Sequence, residues 1–200
     1  MFQRTIFTDE QNYFRENAAK FVDKEILPYH SLWEKDGIVP KDIWLKAGEI
    51  GLLCPNIPKE YGGIGGDFRF NVIVIEELAR AGASGPGFAV HSDIVAPYLI
   101  NYSSKNQKKE YLPKMVKGEI ITAIAMTEPS TGSDLQNIKT RANIKDNKII
   151  LNGSKTFITN GQNADLILVV AKTDSTKKAK GISIILCEEN RKGFQKGKNL

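Results

Sequence analysis

Apolar residues recur at helical spacing through the first half of the chain and at every second position through the last third. Thr8-Asp9-Glu10-Gln11 matches a capping box, with Thr8 as N-cap and Gln11 reaching back. Phe14, Ala18, Phe21 and Val22 then follow on one helical face until Pro28 ends the pattern. Pro40 in a first-turn position predicts a second helix carrying Ile43, Trp44 and Ala47, with Gly51 just past its end. Phe68, Val72, Ile75 and Ala79 predict a further helical stripe ending near Gly82. Glu76 and Glu77 on that helix point about a hundred degrees apart, too divergent for a shared-proton pair, so solvent or a partner helix is expected to receive them. Residues 84–102 read as an apolar helix bent at Pro97, and Ser104-Lys105-Asn106-Gln107 caps another that runs to Val116 and stops at Gly118.

Beyond Gly118 the period changes to two, which predicts strands at 120–125, 140–144, 149–151, 156–158, 166–171 and 182–187. Asp146-Asn147 and Asn152-Gly153 are expected to turn them in hairpin fashion. Helices and strands in separate runs imply an α+β multidomain layout. The expected division is a helical domain at 1–118 and an antiparallel β-barrel or sandwich-like domain at 119–200.

Two stretches carry denser chemistry than their neighbours. Met126-Thr127-Glu128-Pro129-Ser130-Thr131-Gly132-Ser133-Asp134 takes an apolar strand into a turn of hydroxyl and carboxylate groups, with Pro129 fixing one φ and Gly132 permitting close backbone approach. Gly153-Ser154-Lys155-Thr156-Phe157-Ile158-Thr159-Asn160-Gly161 follows. In this order and spacing the pair resembles the flavin-binding segments of acyl-CoA dehydrogenases, and the likeness extends from about Thr8 to the last residue. The stretch His91-Ser92-Asp93-Ile94-Val95-Ala96-Pro97-Tyr98 looks most like the long-chain branch of that family.

The resemblance implies FAD as cofactor and α,β-desaturation of an acyl-CoA thioester in fatty-acid β-oxidation, with hydride passing to the flavin and an electron-transferring flavoprotein as acceptor. Thr127 and the backbone of Ile124, Ala125 and Met126 would hold the pyrimidine edge of the ring. Phe157 would lie on its face, where many relatives carry Trp; Ile158 lies between, and Thr159 would donate to N5. Gly132 and Ser133 would reach the pyrophosphate, and Ser133 would also meet the acyl-CoA. Ser130-Thr131 and Asn137 depart from the small residues usual there, so added bulk near the phosphates is expected from Thr131. The family's catalytic carboxylate is carried by a helical bundle after the β domain, together with part of the FAD and tetramer contacts. No catalytic base is therefore assigned among residues 1–200, Glu128 included, and the 1–200 chain alone is expected to show no turnover. The alternatives are an oxygen-using relative, such as an acyl-CoA oxidase or flavin monooxygenase, and a non-catalytic flavin- or CoA-binding fragment.

Composition adds little to this. The chain has 200 residues, 41% of them hydrophobic and 26% charged, as in ordinary globular proteins. Its net charge of +5 invites an anionic partner, yet the lysines are scattered and lack interleaved aromatics, which argues against nucleic acid; a coenzyme A ester fits as well. Lys177-Lys178-Ala179-Lys180 reads as a solvated loop tip, and Gly62-Gly63-Ile64-Gly65-Gly66 as a turn lacking dinucleotide spacing. Cys54 and Cys187 are far apart, which points to two reduced thiols in a cytoplasm-like compartment, or the mitochondrial matrix after processing. No apolar run is long enough for a membrane span, no presequence pattern stands at Met1-Phe2-Gln3-Arg4-Thr5, and His30 and His91 lack partners at metal-ligand spacing.

Overall fold

The polar turns and helix breakers divide the chain where the hydrophobic period changes. A computed structural model describes residues 5–146 and 148–199, so the sequence expectations for residues 1–4 lie outside it, as does the Asn147 half of the Asp146-Asn147 turn. It forms two units, Met1–Ile121 and Thr122–Leu200.

In the first unit α1 (Asp9–Phe21) starts at the Thr8 capping box: the Thr8 hydroxyl accepts from Gln11 N–H at 3.3 Å and Gln11 Oε1 accepts from Thr8 N–H at 3.1 Å. It runs into a π-helical turn (Val22–Ile26) and then a short helix, α2 (His30–Asp36), which Gly37 closes at φ 69°. The sequence reading did not anticipate α2, because one turn of burial by His30 and Trp33 leaves too little periodicity to detect. Helix α3 (Lys41–Glu49) begins after Pro40 and buries Ile43, Trp44 and Ala47, as expected.

Helix α4 (Phe68–Arg80) corrects the stripe expected for it. Phe70, Ile73, Val74, Glu77 and Leu78 face the core, whereas Phe68 and Ile75 are exposed. This helix is apolar on more than one face, so periodicity admitted either stripe; contact decides, with Phe70 packed edge-on to Phe14 at 5.1 Å. The partner-helix alternative for the two glutamates holds. Arg15 of α1 reaches Glu76 at 2.7 Å and Glu77 at 3.0 Å, and Arg80 binds Glu77 at 2.7 Å.

The 84–102 stretch turns helical at Phe88, widens to a π turn at Val90–Val95, and continues as α5 (Ala96–Tyr102) with Pro97 in its first turn. Proline has no N–H for the ladder, and the widened turn lies directly before it. Helix α6 (Lys105–Val116) has the second capping box at Ser104 and ends at Gly118, φ 71°. A Cβ on Gly118 would lie 2.1 Å from the Trp44 carbonyl oxygen, so only glycine lets this turn lie against α3. Trp44 packs edge-on to Phe88 at 4.7 Å and to His91 at 5.3 Å.

The second unit is one mixed sheet: β1 (Thr122–Ala125), β2 (Arg141–Lys145), β3 (Lys148–Asn152), β4 (Leu166–Lys172) and β5 (Ile182–Glu188). Strand β4 is central. It pairs antiparallel with β5 from Leu166↔Glu188 to Lys172↔Ile182, and parallel with β1 from Thr122↔Leu166 to Ala125↔Val169. The β2–β3 hairpin pairs antiparallel and joins β4 at Arg141↔Lys172, also in parallel. The wholly antiparallel pairing expected is thereby corrected to a mixed one. Alternation fixes which face a side chain takes but not strand direction, and the long excursion between β1 and β4 allows a parallel return. No strand forms at 156–158, and Asn152-Gly153 does not make a hairpin: Phe157 sits at φ 55°, outside the extended region. Both β1 and the apolar part of β4 are buried throughout, and Ala123, Ala125, Ala164, Ile167 and Val169 form a core against which Leu151 and Ile158 pack. Among the described residues no helix is long and apolar enough to cross a membrane.

Candidate functional site

Strand β1 delivers its C-terminal end into a turn closed by two reciprocal backbone bonds, Glu128 N–H to Thr131 O at 2.8 Å and Thr131 N–H to Glu128 O at 3.0 Å. Glu128 points inward and is 5% exposed. Its carboxylate accepts from Lys139 N–H at 2.6 Å, Thr140 N–H at 2.9 Å and Lys155 Nζ at 3.0 Å. Burial alone would raise this carboxyl; the Thr140 side chain, those two backbone amides and Lys155 more than offset it and hold it at about 2. A carboxylate so stabilised accepts protons poorly.

Thr131 also turns inward: it is 8% exposed and its hydroxyl donates to Asn137 O at 3.4 Å, while the Asn137 amide binds Asp134. The bulk expected beside the phosphates is thus folded into the turn. Pro129, Ser130, Gly132 and Ser133 form its exposed limb, and a Cβ built on Gly132 meets nothing within 4 Å.

The loop 155–160 is fastened beside β1 at both ends. Lys155 Nζ donates to Met126 O at 2.8 Å, Thr156 N–H to Thr127 O at 3.0 Å, and Asn160 Nδ2 to Thr122 O at 3.0 Å. Asn160, itself at φ 64°, accepts from Ala164 N–H at 2.8 Å, and Gly161 N–H closes on Ile158 O at 2.8 Å. Between these fastenings Ile158 packs onto the Ala123–Ala125 core, while Phe157 and Thr159 turn outward. Phe157 is 71% exposed and left-handed, a costly backbone state for a bulky residue and one that persists only where its surroundings enforce it.

The structure therefore brings the two motifs together through the contacts of Met126, Thr127 and Glu128 with Lys155 and Thr156. Ile124 and Ala125 bury their side chains in β1, so a ligand would meet their backbone; Met126 and Thr127 are half-buried at its end. Gly132 and Ser133 stand on the exposed limb of the Glu128 turn. Sequence reasoning missed the pairing of Glu128 with Lys155 and the tether at Asn160. The available signal was an acid and a base, one inside each motif, with no other purpose assigned to them.

His91 is buried, with Nε2 3.1 Å from Met115 O, and His30 Nε2 accepts from Gly85 N–H at 3.0 Å. Cys54 and Cys187 are free thiols, and burial pushes Cys54 up to about 12. Among the described residues no three His, Cys, Asp or Glu side chains group as a metal site.

The family model for the acyl-CoA dehydrogenase N-terminal domain matches residues 8–119, and that for the acyl-CoA dehydrogenase middle domain matches residues 123–200. Mitochondrial long-chain specific acyl-CoA dehydrogenase from Rattus norvegicus is 50% identical over 199 residues, 98% of this chain and 46% of that protein. Mitochondrial isovaleryl-CoA dehydrogenase from Solanum tuberosum is 35% identical over 98% of this chain and 48% of its own length. Among solved structures, an acyl-CoA dehydrogenase from Geobacillus kaustophilus superposes with a TM-score of 0.91 at 47% identity, covering 96% of this chain and 51% of that one. A glutaryl-CoA dehydrogenase from Mycobacterium smegmatis in complex with FADH2 gives 0.85 at 28% identity, covering 94% and 48%. The chain spans about half the length of these relatives. With both domain models matched in order along it, the chain belongs to the acyl-CoA dehydrogenase family.

Proposed function

We propose that this chain supplies the flavin-holding part of an FAD-dependent acyl-CoA dehydrogenase. The observation that carries the reading is the loop 155–160, which holds an exposed aromatic ring and an exposed hydroxyl, Phe157 and Thr159, in an enforced left-handed bend beside the end of β1. The donor set fits an isoalloxazine, which needs an apolar face to lie on and hydrogen-bonding groups at its polar edge. The backbone of Ile124 to Met126 and the Thr127 hydroxyl provide that edge, and the open side of Gly132 beside Ser133 leaves space for a phosphate to approach the backbone.

Bound FAD supplies the hydride acceptor for desaturation of the acyl-CoA. Thr159 would donate a hydrogen bond to the ring nitrogen that receives charge, and Phe157 would keep water from one face. Ser133 meets both the cofactor phosphates and the acyl-CoA. The FADH2 complex of the Mycobacterium smegmatis relative supports flavin as the group bound. An electron-transferring flavoprotein as redox partner rests on the family membership. A tetrameric assembly and a mitochondrial-matrix or cytoplasmic location complete the proposal. In protein carrying this chain, Thr159→Ala is expected to slow flavin reduction by acyl-CoA by about 1–3 kcal/mol of barrier. Unchanged stopped-flow bleaching of the flavin would remove Thr159 from the mechanism.

A further inference from the structure

An ion pair joins the two motifs, and its contacts exceed what closing a turn requires. The Lys155 and Glu128 side chains are 11% and 3% exposed, with Nζ to Oε1 at 3.0 Å. Lys155 divides its donors between Glu128 and the Met126 carbonyl, so it ties the loop both to the turn and to the end of β1. The other lone pairs of Glu128 take Lys139 N–H and Thr140 N–H, which fixes the approach to β2. A single carboxylate thus joins the 128–131 turn, the entrance of β2 and the loop 155–160. The neighbourhood has no slack: a Cβ on Gly153 would lie 2.2 Å from the Thr140 hydroxyl.

The loop needs such fixing. Phe157 and Asn160 both occupy the left-handed region, which non-glycine residues leave when released. Asn160 is tethered to Thr122 at the far end, and Lys155 is a side-chain tether at the near end, beside the Thr156–Thr127 backbone bond. We propose that Lys155 and Glu128 are positioning residues that pre-organise the Phe157–Thr159 segment for the flavin, so that ligand binding need not order it. The inference rests on the flavin reading for its ligand, but the state of the loop can be measured without any ligand.

Removing one partner of a buried pair leaves the other charge uncompensated and can unfold the unit, so the decisive variant is Glu128→Gln/Lys155→Met, which removes both charges, compared with Lys155→Met and Lys155→Arg. Two readouts are taken on the full chain. Amide hydrogen exchange without ligand reports residues 156–161, with β4 as the internal standard; titration with FAD, followed by flavin fluorescence, reports affinity. The double variant is expected to exchange about tenfold faster at Thr156 and its neighbours, to keep β4 protected, and to bind FAD about tenfold more weakly, the effect of one hydrogen bond of ordinary strength. Lys155→Arg, which keeps a donor and the charge, should recover most of both. Faster exchange with unchanged FAD affinity would make the pair a structural tether only and overturn the positioning role. Unchanged exchange would overturn the clamp itself. If the parent chain binds no FAD at all, the flavin reading fails, and the exchange arm still decides whether the clamp exists.

Discussion

The buried histidine of the helical unit gives a pH dependence that can be worked out from its surroundings. His91 is fully enclosed, lies edge-on to Trp44 at 5.3 Å, and donates from Nε2 to Met115 O at 3.1 Å. Burial penalises the imidazolium, and the Met115 carbonyl restores only part of the loss, so the ring titrates at about 4 instead of 6.5. The unfolded chain takes up a proton near pH 6.5 and the folded one does not until about pH 4. Stability contributed by His91 is therefore complete above pH 6.5 and falls as pH drops towards 4. Applying the linkage relation to these two values gives a loss of about 2 kcal/mol between pH 7 and pH 5. Both tryptophans, Trp33 and Trp44, lie in this unit, so urea unfolding followed by tryptophan emission reports on it selectively. With a urea slope of about 2 kcal/mol per molar, the midpoint should move down by about 1 M. Asp93 titrates in the opposite sense, because burial raises its carboxyl and the Asn71 amide only partly opposes this. A His91→Gln variant retains Asp93, so the difference between the two pH profiles isolates the histidine. Equal slopes for parent and variant from pH 7 to 5 would refute the reasoning.

Three further outcomes follow from named contacts. Glu128 falls from an ordinary 4.5 to about 2, so the stability it contributes to the sheet unit is whole above pH 4.5 and is lost as pH falls towards 2; the step should be about 3 kcal/mol in acid titrations followed by exchange at β4, and absent in Glu128→Gln. Gly118→Ala puts a Cβ 2.1 Å from the Trp44 carbonyl oxygen at φ +71°, and thermal melting should show a cost above about 2 kcal/mol, whereas Gly62→Ala, at φ +88° with nothing within 4 Å, should cost about 1 kcal/mol. Ile144 and Ile149 face each other across the β2–β3 hairpin at 75% and 51% exposure, so replacing both with Thr should change stability by no more than about 0.5 kcal/mol by urea titration.

Much of the helical unit was legible because its signals are local. Both capping boxes, Pro40 and Gly118 mark ends that the backbone obeys. Helix α4 was misread on the same evidence, since Phe68 and Phe70 stand on different helical faces and only the presence of Phe14 across the contact selects Phe70. In the sheet, short apolar or alternating runs located β1 to β5 but carried no information on direction, so the parallel partnership of β1 with β4 was invisible. The same limit explains the strand wrongly expected at 156–158. Thr-Phe-Ile has strong β propensity, but Lys155 and Asn160 pin the segment at both ends and bend Phe157 out of the extended region. The motifs thus announced which residues gather, while the buried acid–base pair that gathers them required three-dimensional contact to find.

The flavin site is the central claim, and equilibrium binding of FAD tests it most directly. FAD titrated into protein carrying this chain should lose fluorescence and saturate at one equivalent. Phe157→Asp, which replaces an exposed ring with a charge and leaves the buried face of the loop untouched, should weaken binding about tenfold or more while circular dichroism stays the same. Saturable binding that Phe157→Asp and Thr159→Ala both leave unaltered would contradict the account, because the cofactor would then be held somewhere other than the loop beside β1.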